Sequence, residues 1–171
     1  LPPSFPPYSN TSFEYDGTNW TAGGAMPQRG DYMDGVGVTT AAVIFGSTNS
    51  PSPNTLNTSL DYDGSAFSSN NNMNNNHGGQ HSACGTTTSA LVACGGAPYA
   101  DSAKSEIYDG TSFVTNATTA TSGQRGGKGT SSPASIVVGG YGGSPGTQFL
   151  TATEEYTVAS TAVNAKTLTT S

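Results

Sequence analysis

The chain has 171 residues, of which 33 % are apolar and only 9 % are charged, and its formal net charge is −6. Its five Lys and Arg residues are scattered, which excludes the clustered cations that nucleic-acid binding requires. The longest apolar run is about five residues, far below the roughly 20 that span a bilayer, which excludes membrane insertion as a helix. Gly, Ser, Thr and Asn are abundant and helical periodicity is missing, so the composition predicts an all-β chain.

A short tyrosine motif near the start of the chain recurs at regular intervals. Glu14-Tyr15-Asp16-Gly17 returns around Tyr62 and Tyr108 with Asp-Gly kept, and in a degraded form around Tyr156. The intervals between these tyrosines are 47, 46 and 48 residues. A fixed period of this length is typical of repeat architectures in which each repeat is one small structural unit.

Each of the first three copies of the motif predicts a β-hairpin. An aromatic residue stands five positions after the tyrosine, so one strand ends at the tyrosine and the next carries the aromatic. Asp-Gly between two such strands is a strong hairpin signal, and we expect a tight primed turn in which both residues take positive φ. The aromatics are Trp20, Phe67 and Phe113, and the turn residues are Asp16, Gly17, Asp63, Gly64, Asp109 and Gly110.

An apolar run closed by glycine is the second recurring feature. Because these runs lack polar alternation, both of their faces are expected to be buried. The glycine-rich segment before each run, such as residues 35–38, predicts an innermost strand, which makes four short strands per repeat. The runs are residues 41–45 before Gly46, 90–94 before Gly95 and Gly96, and 134–138 before Gly139 and Gly140.

The apolar run closed by glycine, the tyrosine and the later aromatic, in periods near 47 residues, resemble the kelch repeat. The wording Glu-Tyr-Asp-Gly-Thr-Asn-Trp-Thr-Ala-Gly-Gly at residues 14–24 looks more narrowly like kelch-type repeats in virion and tail-fibre proteins of marine bacteriophages. The resemblance implies a kelch-type β-propeller whose blades have four antiparallel strands. Ser47 departs from the pattern by replacing the second glycine, and the last repeat lacks Asp-Gly and its aromatic, as terminal repeats often do.

The register of the repeat divides the chain into parts of a single partial propeller. Residues 1–25 are expected to form a half blade, 26–72 and 73–118 full blades, and 119–171 a terminal blade. Residues 1–7 match the proline-containing loop around Pro51 and Pro53, so the chain is expected to start within a blade. A half blade has an unpaired strand edge. This predicts either that the chain is the C-terminal part of a longer propeller or that another subunit completes the ring.

Two histidines and two cysteines suggest chemical hypotheses. His77 and His81 are fewer than the three or four ligands that zinc requires, and His77 occupies a recurring cationic position, which favours a structural role. Cys84 and Cys94 fall in adjacent predicted strands, where they either form a bridge or are two small buried side chains. The repeated aspartates are assigned to turns, so the sequence predicts no catalytic, metal-binding or cofactor-binding residue. The recurring cationic position is filled by Arg29, His77 and Arg125.

Asparagine is concentrated in one segment and in three sequons. Residues 70–76 contain six Asn around Met73, which predicts a solvated connecting loop or, alternatively, amides that contact a glycan. Asn10, Asn57 and Asn116 lie in Asn-x-Ser/Thr sequons, which matter only in a glycosylating pathway.

Long polar loops at residues 47–59, 96–105 and 140–151 favour a function in binding. With the resemblance, they predict a non-enzymatic structural or recognition module, namely a bacteriophage virion surface or tail-fibre component that takes part in host attachment. The alternative is a secreted bacterial cell-surface adhesin or extracellular filament subunit, and a propeller-borne enzyme is a third hypothesis. The expected location is the virion surface or the extracellular space. The expected partners are other virion or filament subunits and a host surface protein or glycan, without cofactor, nucleic acid or membrane insertion.

Overall fold

The computed structural model describes residues 9–49, 54–97, 100–142, 148–159 and 162–168. These residues form β-strands joined by turns and loops, and none of them lies in a helix, which confirms the prediction of an all-β chain. A helix long and apolar enough to cross a membrane is therefore not found among them. The predicted proline-containing loops at residues 1–7 and around Pro51 and Pro53 lie outside the described residues.

The strands form a hairpin followed by three antiparallel sheets in chain order. The first hairpin pairs β1 (Phe13–Tyr15) with β2 (Trp20–Ala22). Sheet 1 contains β3 (Asp34–Val38), β4 (Ala41–Asn49), β5 (Asn54–Tyr62) and β6 (Phe67–Ser69). Sheet 2 contains β7 (Ser82–Thr86) and β8 (Ser89–Ala93), then, after the small hairpin of β9 (Gly96–Ala97) and β10 (Ala100–Asp101), β11 (Ser105–Tyr108) and β12 (Phe113–Thr115). Sheet 3 contains β13 (Gln124–Ser131), β14 (Ala134–Gly142), β15 (Gln148–Phe149), β16 (Thr153–Ala159) and β17 (Ala162–Leu168).

Each sheet is a meander in which strands that follow one another along the chain pair side by side. Sheets 1 and 2 each have four such strands, and sheet 3 has four in line with the short β15 added to the edge of β14. The first strands of the three sheets are neighbours in space, because β7 lies beside both β3 and β13. Side chains link the sheets there: the Asp34 carboxylate accepts a hydrogen bond of 2.7 Å from the backbone N–H of Ala83.

Two hydrophobic clusters fill the spaces between the stacked sheets. The first lies between sheets 1 and 2 and has Phe45 at its centre, in edge-on contact with Tyr108 and Phe113 at ring distances of 5.9 and 5.8 Å. The second lies between sheets 2 and 3 and combines Leu91 with Val137. Full burial of a side chain such as Phe45 contributes about 1.5–3 kcal/mol, so stacking of sheets is a main source of stability.

The apolar runs are buried on both faces only in sheet 2. Residues 90–93 of β8 are all buried, because sheets 1 and 3 cover the two faces of sheet 2. In β4, Val43 is buried while Ile44 is only half-buried, and in β14, Val137 is buried while Val138 is exposed. The expectation of two buried faces is thus wrong for β4 and β14, where the described residues place a full sheet against one face only.

Candidate functional site

The repeated tyrosines and aromatics form pairs that bracket the hairpin turns. In each hairpin, the tyrosine ends one strand and lies directly opposite the aromatic that begins the next. Tyr156 ends no such hairpin: it lies within β16, opposite Ala165, and packs into the second hydrophobic cluster. The pairs are Tyr15 with Trp20, Tyr62 with Phe67 and Tyr108 with Phe113, at ring distances of 5.1, 4.5 and 4.7 Å.

An aspartate side chain closes each of these turns. The Oδ1 atom of Asp16 accepts hydrogen bonds from the backbone N–H groups of Asn19 and Thr18, at 2.8 and 2.7 Å. Asp63 and Asp109 accept the two equivalent bonds in their own turns. In all three turns the carboxyl pKa is lowered, chiefly by the hydrogen bond from the backbone N–H of the third residue after the aspartate. The turn loops have four residues, and only their glycines take positive φ: Gly17, Gly64 and Gly110. The predicted primed turn with aspartate at positive φ is therefore wrong, and aspartate is needed for its side chain.

A residue at positive φ follows the apolar run of each sheet, and it is a glycine in sheets 1 and 3. Gly46 has φ +61°, and a side chain there would collide with the backbone carbonyl oxygen of His77. Gly139 has φ +47°, whereas sheet 2 has Cys94 at φ +62°. Cys94 therefore has the position of Gly46 and Gly139, one residue before the predicted Gly95. Gly95 itself has the position of Ser47 and Gly140. Gly96 begins β9.

The residue at the recurring position contacts a buried glutamate in sheets 2 and 3. His77 Nε2 lies 3.3 Å from Glu106 Oε1, and Nδ1 donates to the carbonyl oxygen of Cys94 at 2.9 Å. In sheet 3 Arg125 contacts Glu154 in the same way and donates through Nε to the carbonyl oxygen of Gly139 at 3.0 Å. In both cases this side chain ties the backbone that follows the apolar run to the third strand of its own sheet.

Sheet 1 lacks this pair. By its spacing from the repeated tyrosine, Leu60 takes the position of Glu106 and Glu154, and it is buried. Arg29, which fills the cationic position of this repeat, is exposed. A glutamate in the third strand and a buried His or Arg side chain at the recurring position therefore occur together, which supports a structural role for His77 and Arg125.

Glu106 is the most densely hydrogen-bonded carboxylate among the described residues. Its oxygens accept bonds from the backbone and side-chain nitrogens of Asn74 (2.8 and 2.9 Å) and Asn75 (2.6 and 2.9 Å), in addition to the contact with His77. Burial by itself raises the pKa of Glu106, but the bonds from His77, Asn74 and Asn75 outweigh it and lower the pKa to about 2. The group is fully saturated and has no free oxygen for acid–base work.

The asparagine-rich segment is an inter-strand and inter-sheet connector. Asn70 donates to the Tyr108 hydroxyl at 2.6 Å, and Asn71 donates to the carbonyl oxygen of Thr111 at 2.7 Å. Met73, two residues after Asn71, is buried in the first hydrophobic cluster. With the bonds of Asn74 and Asn75 to Glu106, most of the amides are engaged within the protein. The segment is a connecting loop as predicted, with Asn71, Asn72, Asn74 and Asn76 exposed to solvent, and its internal hydrogen bonds fix it against sheet 2.

His81 is buried next to this connector and is uncharged. Neither ring nitrogen has a hydrogen-bond partner within the described residues. Burial, together with the nearby His77 ring at 6.3 Å, lowers the pKa of His81 to about 3. The described part of the chain contains no group of three or more His, Cys, Asp or Glu side chains arranged to hold a metal ion.

The two cysteines are free and buried, which decides between the two alternatives that the sequence left open. Cys84 lies in β7 opposite Leu91, and Cys94 contacts the Thr119 hydroxyl at 3.5 Å. Burial raises the pKa of both thiols, so neither is an activated nucleophile.

The sequon asparagines also serve the fold. The Nδ2 atom of Asn10 donates to the carbonyl oxygen of Met26 at 3.1 Å, and Asn57 makes the same bond to Met73 at 2.7 Å. Nδ2 of Asn116 is enclosed. The folded chain thus engages or encloses the nitrogen to which a glycan would be attached.

A groove of about 650 Å³ separates the first hairpin from sheet 1, with Ile44 among its mostly apolar lining. Its two carboxylates are already engaged: Glu14 accepts a hydrogen bond from the Tyr62 hydroxyl, and Asp34 accepts the bond from Ala83. The groove therefore offers apolar surface but no free acid–base pair.

The surface best suited to binding is the end of the sheets that carries the long connections. The turns at the opposite end are short, whereas the second and third strands of every sheet are joined here by a longer extension that contains paired strands. In sheet 1 the extension is the outer half of β4 and β5, in sheet 2 it is the β9–β10 hairpin, and in sheet 3 it is the pairing of β14 with β15. The predicted polar loops are thus three strand extensions of different length at one end.

Sheet 3 displays an exposed aromatic pair on its extension. Tyr141 and Phe149 are cross-strand partners with a ring distance of 6.0 Å, and Phe149 is 89 % exposed. Large aromatics are concentrated at protein recognition surfaces because they bury much area at little entropic cost. Neither residue belongs to the repeat pattern, although two aromatics within a glycine- and serine-rich loop are a signal for such a surface.

The framework thus defines an all-β protein of stacked antiparallel sheets whose polar side chains mostly serve the fold. No protein-family model matches the chain, and no curated protein sequence matches it. A solved structure described as "Structure of YjhT" is similar, with a TM-score of 0.67 and 14 % sequence identity over 91 % of this chain. The match covers 51 % of YjhT, so this chain spans about half the length of that protein. At this identity the likeness shows the fold alone.

Proposed function

We propose that sheets 1–3 are blades of a kelch-type β-propeller and that the chain is a non-enzymatic recognition module. The support for propeller blades is the face-to-face stacking of meander sheets, with β3, β7 and β13 side by side as innermost strands would be. The resemblance of the repeat wording to kelch sequences points the same way.

The observation that carries the recognition role is the contrast between the two ends of the sheets. Short aspartate turns repeat at one end, while the other end presents three different strand extensions, one of them with the exposed Tyr141–Phe149 pair. A rigid framework that displays variable loops is the usual arrangement of a binding protein. The buried pairs His77–Glu106 and Arg125–Glu154 stabilise that framework and leave no free catalytic group there.

The biological setting that we propose is a bacteriophage virion surface or tail fibre that takes part in host attachment. The support is the resemblance of residues 14–24 to kelch-type repeats of marine bacteriophage virion proteins. Immunogold labelling with antibody raised against the chain distinguishes this setting from the alternative. Gold on purified virions supports the proposal, whereas gold on bacterial surfaces or extracellular filaments supports a bacterial adhesin.

Binding by the extension-bearing end is tested with a double variant. The labelled chain is applied to intact marine bacterial cells and to an array of bacterial surface glycans. The change of Tyr141→Ser with Phe149→Ser is expected to weaken binding at least about tenfold, since exposed aromatics dominate such contacts. Val114→Ser is the matched control, because Val114 is also an exposed apolar residue but lies on the outer strand β12. Equal binding by the double variant and the control would contradict this location of the site.

A further inference from the structure

Every sheet has two different faces, and the interior of the protein shows how they pair. We call the face that looks toward the preceding element the leading face and the opposite one the trailing face. Tyr108 and Phe113 on the leading face of sheet 2 pack edge-on against Phe45 on the trailing face of sheet 1. Tyr156 on the leading face of sheet 3 packs with Leu91 on the trailing face of sheet 2. The pairing rule is therefore leading face against trailing face.

The first hairpin carries a leading face that the described residues leave uncovered. Tyr15 and Trp20 are 46 % and 70 % exposed, whereas Tyr62, the equivalent of Tyr15 in sheet 1, is 8 % exposed. The two rings contact each other at 5.1 Å and have the arrangement of the buried pairs. The hairpin thus presents a formed interface element without its partner surface among the described residues.

Sheet 3 carries a trailing face that is open in the same sense. Val138 is 41 % exposed, whereas Phe45, its equivalent one residue before the bulge of sheet 1, is fully buried. A shallow groove of about 400 Å³ lies beside this face, and its lining includes Ile136 of this face together with Tyr156 of the leading face. An open leading face and an open trailing face therefore occur on one chain.

We propose that the open leading face of one chain docks on the open trailing face of a second copy, head to tail. The two faces match in kind, because the interior of the chain twice joins the same two types of surface.

A specific hydrogen bond is expected across this interface. Inside the chain the Tyr62 hydroxyl donates to Glu14, the residue that precedes Tyr15 in its strand. Glu155 precedes Tyr156 and has the equivalent position on the open trailing face. The Tyr15 hydroxyl, which now donates to the carbonyl oxygen of Gly17 at 2.8 Å, would donate to Glu155 of the second copy.

Sedimentation velocity of the 171-residue chain over a range of concentrations tests the proposal. We expect species of two or more copies above the monomer mass of 17.2 kDa. Trp20→Asp and Val138→Asp should each weaken self-association at least about tenfold, since a charge is placed in an apolar contact. Both residues are exposed, so the thermal unfolding midpoints should stay unchanged, and Phe149→Asp at the loop end is the control that leaves association intact.

Mixing the two variants tests the head-to-tail orientation. Each variant keeps one intact face, so a mixture of the Trp20→Asp and Val138→Asp chains should form a heterodimer that neither forms alone. A chain that sediments as a monomer at every concentration up to about 1 mM overturns the proposal. Association that survives both substitutions, or a mixture that stays monomeric, overturns it as well.

Discussion

The Glu106→Gln substitution tests the interpretation of the buried polar network as a structural device. Glu106 accepts hydrogen bonds from the backbone and side chains of Asn74 and Asn75 and pairs with His77, and all three side chains lie in or next to the connector that joins sheets 1 and 2. A glutamine has the same shape, but its NH₂ group replaces one carboxylate oxygen. That NH₂ group would face N–H donors that previously had an acceptor. A buried donor without an acceptor is costly.

The expected loss of stability can be obtained in two ways. The pKa of Glu106 is about 2 against its ordinary value of 4.5, because hydrogen bonds from His77, Asn74 and Asn75 outweigh the opposing effect of burial. This difference corresponds to about 3 kcal/mol in favour of the ionised form. Removal of one partner of a buried ion pair typically costs about 3–5 kcal/mol. We therefore expect the free energy of unfolding at pH 7 to fall by about 3 kcal/mol.

Urea unfolding at several pH values provides the assay. The folded-state pKa lies below the unfolded-state value, so the contribution of Glu106 is complete above about pH 4.5 and is lost as pH falls towards about 2. The difference between the wild-type chain and Glu106→Gln should accordingly shrink to about 1 kcal/mol at pH 3. Glu155→Gln, in a half-buried carboxylate outside both ion pairs, is the control and should change stability by no more than about 0.5 kcal/mol. A loss below about 1 kcal/mol at pH 7, or one that does not depend on pH, would refute the reasoning.

Three further outcomes are expected from unfolding measurements. Gly46→Ala should lower the free energy of unfolding by about 3–5 kcal/mol, because the new Cβ would collide with the backbone carbonyl oxygen of His77. Gly17→Ala, which has open space around it, should cost only about 1–2 kcal/mol because of its positive φ. Equal losses for the two variants would contradict the close approach at Gly46. Phe113→Ala should lower the free energy of unfolding by about 3–5 kcal/mol. Trp20 is exposed, so Trp20→Ala should lower it by less than about 1 kcal/mol in dilute solution. The reverse order would contradict the assignment of faces. His81 is held neutral in the folded chain, so the free energy of unfolding should fall by up to about 1.4 kcal/mol per pH unit as pH decreases from 6.5 towards 3. The His81→Leu variant should lose this pH dependence, and an unaltered pH profile in this range would contradict the burial of His81.

Local patterns were sufficient for the strand-level description of this protein. The hairpins are specified locally, because all the required interactions lie within six residues. These are a tyrosine, four turn residues that begin with Asp-Gly, and a second aromatic. The period near 47 residues shows that the unit repeats, and the apolar run locates the strand that the stacked sheets bury. Even here the turn type was wrong, since the role of Asp16 as a side-chain acceptor depends on backbone geometry that its residue type does not reveal.

The candidate recognition surface was predicted only in outline. The three polar segments were identified from their composition, but their formation as strand extensions at one end follows from the order of strands in each sheet. The Tyr141–Phe149 pair was not foreseen, because cross-strand pairing across a loop of undetermined shape is required to bring the two rings together.

The sequence by itself determined the all-β class, the repeat and the positions of the hairpins, because these depend on neighbours along the chain. Only the tertiary structure decided which face of each apolar run is buried, why Glu106 pairs with His77 and Glu154 with Arg125, and how the asparagine segment bonds to sheet 2. These partners are about 30 residues apart, and a buried charge is stable only where several distant donors converge on it. Such convergence is a property of how the sheets stack, and no single repeat contains it.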